Sequence, residues 1–82
     1  MSSVSIVEYP EMKKLSEAEI NHEYQIKDIV TEDTDIKNFL FTLGCFEGES
    51  ITLISVLSEN YIITVKDARY SIDADLAETI YI

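Results

Sequence analysis

Tryptophan is absent from this 82-residue chain, while cysteine, proline and histidine occur once each. The single cysteine, Cys45, cannot close an internal disulfide, so no covalent staple holds the core and a reducing compartment is expected. One cysteine and one histidine, His22, cannot supply the four clustered ligands of a zinc centre. With only Gly44 and Gly48, the chain has neither the G-x-x-x-x-G-K-S/T phosphate loop nor the G-x-G-x-x-G fingerprint. Positive charge is scarce too: six Lys and Arg face sixteen Asp and Glu, a formal net charge of −10. Nucleic acid and anionic lipid head groups are therefore disfavoured partners, because binding them requires basic side chains to neutralise phosphate. Long apolar runs are also missing. The longest candidate, Ile51 to Val65, is broken by Ser58-Glu59-Asn60 and falls short of the roughly 20 residues that span a bilayer. Met1-Ser2-Ser3-Val4 has neither the basic start nor the apolar stretch of a secretory signal. The expectation is a cytoplasmic protein that binds no nucleic acid and does not insert in a membrane.

What is present suits one small β-rich domain. Hydrophobic residues make up 46% of the chain, enough for a core at this length. They are largely β-branched between Ile51 and Val65, which favours strands. Residues 1–13 lack periodicity and contain Pro10; they read as an N-terminal tail or arm, with an edge strand through Val4, Ile6 and Val7 as the alternative. The domain is then residues 14–82. Ser16 with Glu19 three positions later forms a capping-box pattern for a short helical turn. Tyr24 to Val30 reads as one strand with Tyr24 and Ile26 on a common face. Asp33 or Thr34 caps a helix whose Ile36, Phe39, Leu40 and Leu43 make one apolar stripe, and Gly44 ends it in a left-handed conformation. Gly48 suits a tight turn. Strands follow at Ile51–Leu57, Tyr61–Lys66 and Arg69–Ile72, joined at Ser58-Glu59-Asn60 and Lys66-Asp67-Ala68. Asp73 caps a helical turn through Ala77, and Thr79–Ile82 closes the chain as a final strand. Five short strands with tight turns in so small a domain are best satisfied by a closed barrel, since closure removes exposed edges. A sheet packed under one helix is the less specific arrangement.

No catalytic constellation emerges. His22 beside Glu19 and Glu23 reads as a solvated side chain. Asp33-Thr34-Asp35 and Asp73-Ala74-Asp75 lack the glycine and distal glutamate of calcium loops and read as caps. Cys45 between Gly44 and Phe46 reads as a packed, unreactive thiol. The chain is expected to be no enzyme and to need no cofactor and no metal. Function then falls to exposed side chains on a rigid scaffold. The candidates for contact with a protein partner are Phe46 and Glu47, in the turn after the helix, and Tyr61, Arg69 and Tyr70 on the strands. The tyrosines are read as alternating with core residues, so that some face outward. Weak self-association is a further partner expectation.

The run Phe39-Leu40-Phe41-Thr42-Leu43-Gly44-Cys45-Phe46-Glu47-Gly48-Glu49-Ser50-Ile51-Thr52-Leu53 resembles the signature of the ferrous iron transport protein A family (the FeoA domain). Tyr61 to Ile72, with Arg69, Tyr70 and Ile72, resembles that family's hairpin, and Leu76 to Ile82 resembles its ending. The likeness spans about residues 15 to 82. It departs at Asn21-His22-Glu23, where a Pro-Gly turn is usual, and at Asp67-Ala68, where a glycine is usual. The resemblance implies a small SH3-like β-barrel with a short helix inserted after the first strand. It also implies a cytosolic accessory role in bacterial ferrous iron uptake, with the GTP-hydrolysing permease FeoB as partner. The alternatives are a FeoA-like module of a metal-responsive regulator and a general SH3-like interaction domain. No iron ligands are implied.

Overall fold

A computed structural model describes residues 13–82. The reading of residues 1–13 as a tail or arm, and the edge strand through Val4, Ile6 and Val7, lie outside the described residues save for Lys13. The chain runs through a 3-10 turn (Leu15–Glu17), β1 (Glu23–Gln25), β2 (Asp28–Ile29), α1 (Thr34–Leu43), β3 (Ser50–Leu57), β4 (Asn60–Val65), β5 (Ala68–Asp73), α2 (Ala74–Ala77) and β6 (Ile80–Tyr81). The fold is mainly β and SH3-like, with the helix following the first strand segments.

A four-stranded antiparallel sheet is ordered β1-β3-β4-β5, and a second sheet pairs β2 with β6. The single strand expected over Tyr24 to Val30 is divided between them. Its first half pairs with β3 and its second with β6. At the crossing, the Ile26 N–H donates to the Glu49 carbonyl at 2.8 Å and the Lys27 N–H to the Tyr81 carbonyl at 2.7 Å. The physical cause is the spacing of apolar residues. Ile26 and Ile29 are both buried, and three positions apart they cannot share a face of one flat strand. The backbone turns at Lys27 so that both enter the core.

The core comprises Leu15, Ile26, Ile29, Leu40, Cys45, Ile51, Leu53, Ile63, Val65, Ile72, Ala77, Ile80 and Ile82. In α1, Leu40 is fully buried and Ile36 and Leu43 pack against the core from half-buried positions. Phe39, expected in the same stripe, is 46% exposed. The Asp33 carboxylate caps α1 by accepting from the Asp35 N–H at 2.9 Å and the Ile36 N–H at 3.4 Å. Asp73 caps α2 in the same way, accepting from the Leu76 N–H at 3.0 Å.

Two local expectations fail. Ser16 does not cap a helix. Lys14 occupies the cap of a 3-10 turn, its N–H donating to Glu17 at 3.4 Å, and the Glu19 N–H donates to the Tyr24 hydroxyl at 3.1 Å. Carrying Leu15 into the core and then extending to the Ile20–Leu53 bridge leaves no length for a regular helix. In β3, Leu53 faces Ile63 but Ser55 faces Ile62, so a β-bulge falls at Ile54. An extra residue shifts the alternation of everything after it. Ile51 and Leu53 are buried, whereas Val56 and Leu57 are exposed.

Candidate functional site

The segment between α1 and β3 builds the most distinctive surface. Gly44 has φ 98°; its N–H donates to the Phe41 carbonyl at 2.9 Å, and the Cys45 N–H reaches back to Leu40 at 3.0 Å. This pair of bonds is a Schellman ending, and it requires the positive φ that glycine tolerates. Phe46, Glu47, Gly48 and Glu49 then form a β-turn closed by the Glu49 N–H donating to the Phe46 carbonyl at 2.9 Å, with Gly48 at φ 90°. The Gly48 N–H bonds the Ile26 carbonyl at 2.7 Å, tying the turn to the strand crossing. A rigid loop results. It leaves Phe46 45% exposed while its ring stacks on Phe41, centroids 5.1 Å apart at 21°. Glu47 beside it is exposed.

Cys45 turns inward from the same loop and is fully buried. Burial pushes its thiol up to about 11, and the nearby Glu49 carboxylate adds to the rise. The group is a protonated thiol at neutral pH and a poor nucleophile.

Lys66 links this loop to the sheet. It lies in the two-residue turn between β4 and β5, where Lys66 and Asp67 both have positive φ (52° and 66°). Its stem crosses Gly44 so closely that a Cβ there would stand 3.0 Å from Lys66 Cδ. Its Nζ pairs with Glu49 Oε1 at 3.1 Å. Beyond it the strand register aligns Glu23, Thr52, Thr64 and Arg69 in one row across all four strands. Their sequence neighbours Ile51, Leu53, Ile63 and Val65 are buried, so the row lies on the outer face. These four side chains, with Ser50, Lys66, Asp67 and Ala68, line an open groove of about 400 Å³. It carries two cations, two carboxylates and three hydroxyls. Arg69 has no ion-pair partner among the described residues.

Of the residues singled out from sequence, Phe46 and Glu47 share the turn after α1, and Arg69 lines the groove that Lys66 ties to that turn through Glu49. Tyr61 and Tyr70 belong to neither feature. The reading that they alternate with core residues is corrected by the register. Tyr61 is in phase with Ile63 and Val65, and Tyr70 with Ile72, and both are half-buried against the core. Sequence reasoning missed Lys66, Thr52, Thr64 and Glu23. The polar alternate positions of the two hairpin strands were the available signal, but only the register shows that they share a row. His22 is exposed and its ring lies 4.6 Å from that of Tyr24. Among the described residues, no cluster of three His, Cys, Asp or Glu is placed to hold a metal ion. Nor, among them, is any helix long and apolar enough to cross a membrane.

The model of the FeoA domain matches residues 13–82. No curated protein matches the chain. Among solved structures, an iron uptake regulatory protein (FeoA) is similar at 21% identity and TM-score 0.77, over 85% of this chain and 93% of that one. FeoA of Stenotrophomonas maltophilia complexed with zinc, described as a procaryotic SH3 domain protein, aligns at 18% identity and TM-score 0.73, over 83% of this chain and 86% of that one. IdeR of T. acidophilum aligns at 25% identity and TM-score 0.79, over 96% of this chain but 35% of its own length.

Proposed function

Since this chain belongs to the FeoA domain family, matched over residues 13–82, we propose that it is a non-catalytic accessory protein of ferrous iron uptake that binds the GTP-hydrolysing permease FeoB. The family match is the observation that carries this reading. The similar structures add to it, one described as an iron uptake regulatory protein and one in connection with bacterial ferrous iron transport. The protein acts from the cytoplasm, residues 14–82 form the working unit, and its effect is exerted by contact. The contact surface is centred on Phe46, Glu47 and Arg69. Phe46 offers an exposed aromatic ring held rigidly on Phe41, the kind of anchor that dominates binding energy at interfaces. Tyr61 and Tyr70, on the inner side of the sheet, support that surface by packing.

The test is titration of this protein onto the isolated cytosolic GTPase region of the cognate permease at low and high salt. Saturable binding that is lost in Phe46→Ser, with the circular dichroism and melting of the variant unchanged, is the expected result. Absence of binding at either salt concentration refutes the proposal.

The likeness to IdeR favours a second reading, in which the same barrel is a module of a metal-responsive regulator. That reading predicts a contact with the remaining domains of such a regulator, measurable by the same titration with those domains substituted for the GTPase.

A further inference from the structure

Strand β5 forms one margin of the four-stranded sheet, and its free edge has a definite chemistry. The turn at Lys66-Asp67 has two residues and leaves Val65 opposite Ala68. In such a hairpin the residues flanking the turn exchange both backbone bonds, and hydrogen-bonded pairs then recur at every second position. Ala68, Tyr70 and Ile72 therefore bond to β4. The N–H and C=O groups of Arg69, Ser71 and Asp73 point the other way. No backbone bond from these three to another element occurs among the described residues. Their side chains are all exposed on the outer face. An open edge of this kind is a ready template for another strand.

We propose that this edge pairs with the same edge of a second copy, antiparallel about a twofold axis through Ser71. The register follows from the sequence of the strand. Centred on Ser71, Arg69 stands opposite Asp73 of the partner subunit, and Asp73 opposite Arg69 of the partner subunit. Each of the three outward residues then meets another outward residue, so every free N–H finds a C=O. A register moved by one residue would set outward groups against inward ones and lose the bonds. The charges match as well. A cation faces an anion at both ends of the pairing, on the same face of the sheet, where directly opposite side chains interact. The interface is isologous and closes on itself, giving a dimer and not a fibre. Asp73 can serve both tasks, because its Oδ1 caps α2 and its second oxygen is left for arginine. One six-residue strand buries little area, so the dimer is of the weak, transient class. The net charge of −10 on each copy opposes it further. Self-pairing shares Arg69 with the proposed permease contact but rests on the strand edge alone and is tested without the permease.

Sedimentation equilibrium over a wide concentration range, together with amide exchange by NMR, provides the test. The expected result is a monomer–dimer equilibrium in which the amides of Arg69, Ser71 and Asp73 become protected as concentration rises. Arg69→Glu should weaken the dimer roughly tenfold or more, since attraction becomes repulsion at two symmetric positions, while its melting temperature stays unchanged. Ser71→Cys should form an intermolecular disulfide under mild oxidation, whereas Glu59→Cys, away from the edge, should not. A strictly monomeric protein overturns the proposal, as does a dimer indifferent to Arg69→Glu. Protection of the edge only when another protein is added assigns it to that partner and overturns self-pairing equally.

Discussion

Replacing each of the two glycines by alanine separates backbone strain from side-chain packing. Gly44 and Gly48 have nearly the same φ, 98° and 90°, so a Cβ strains the backbone similarly at both, by roughly 1–2 kcal/mol. Their surroundings differ. A Cβ at Gly48 meets nothing within 4 Å, whereas at Gly44 it stands 3.0 Å from Lys66 Cδ and 3.3 Å from Cε. The lysine stem is flexible and must swing aside. That breaks its 3.1 Å pair with Glu49, which as a partly exposed ion pair is worth about 0.2–1 kcal/mol. Gly48→Ala should therefore cost about 1–2 kcal/mol, and Gly44→Ala a few tenths to about 1 kcal/mol more. In a domain of this size 1 kcal/mol moves Tm by about 4–8 °C, so thermal and urea melts will resolve the difference. Lys66→Ala, combined with Gly44→Ala, should abolish the excess in a double-mutant cycle. Equal losses at the two glycines, or an excess that persists without Lys66, would refute the claim that Lys66 packs over the helix end.

Three further outcomes follow from the same geometry. Leu40→Ala should cost about 2–5 kcal/mol by urea denaturation because the side chain is fully buried, whereas Phe39→Ala, at a position 46% exposed, should cost well under half as much. Asp67→Gly should stabilise the fold by roughly 0.5–1 kcal/mol, read as a rise in Tm, by supplying the residue preferred at the second position of a turn with positive φ. Burial raises the Cys45 thiol from its ordinary 9.0 to about 11 in the fold. The folded protein therefore holds this proton more tightly than the unfolded chain, so stability is unaffected below pH 9 and falls as pH rises from 9 towards 11. The loss approaches about 2–3 kcal/mol at the top of that window. Urea melts of the native chain and of Cys45→Ala across that window should therefore converge as pH rises.

The legible parts of this protein are those whose causes are local. Asp33 and Gly44 bracket α1 because a carboxylate satisfies the first N–H groups of a helix and a glycine allows its left-handed exit. Asp73 announces α2 for the same reason. The meander β3-β4-β5 follows from β-branched runs divided by two-residue turns. Phe46 could be recognised as a surface candidate because it follows a helix stop. Errors arose where a neighbour distant in sequence decided the outcome. Ser16 and Glu19 match a capping box, yet Tyr24 takes the Glu19 N–H and Leu15 is drawn into the core. Phe39 fits the helical stripe, but α1 turns Leu40 into the core with Ile36 and Leu43 beside it and leaves Phe39 exposed.

By itself the sequence determined composition, charge, the order of elements, the ends of the helices and the likeness to a family, since each depends on residues within a few positions of one another. Tertiary structure alone decided that the first strand divides between two sheets, that Ile54 bulges, and that Tyr61 and Tyr70 lie on the core side. It alone brought Glu23, Thr52, Thr64 and Arg69 into one row beside Lys66. The physical reason is that strand pairing has a period of two and no local memory. A single-residue shift in register, set by packing far along the chain, reverses which side chains meet the core and which meet a partner.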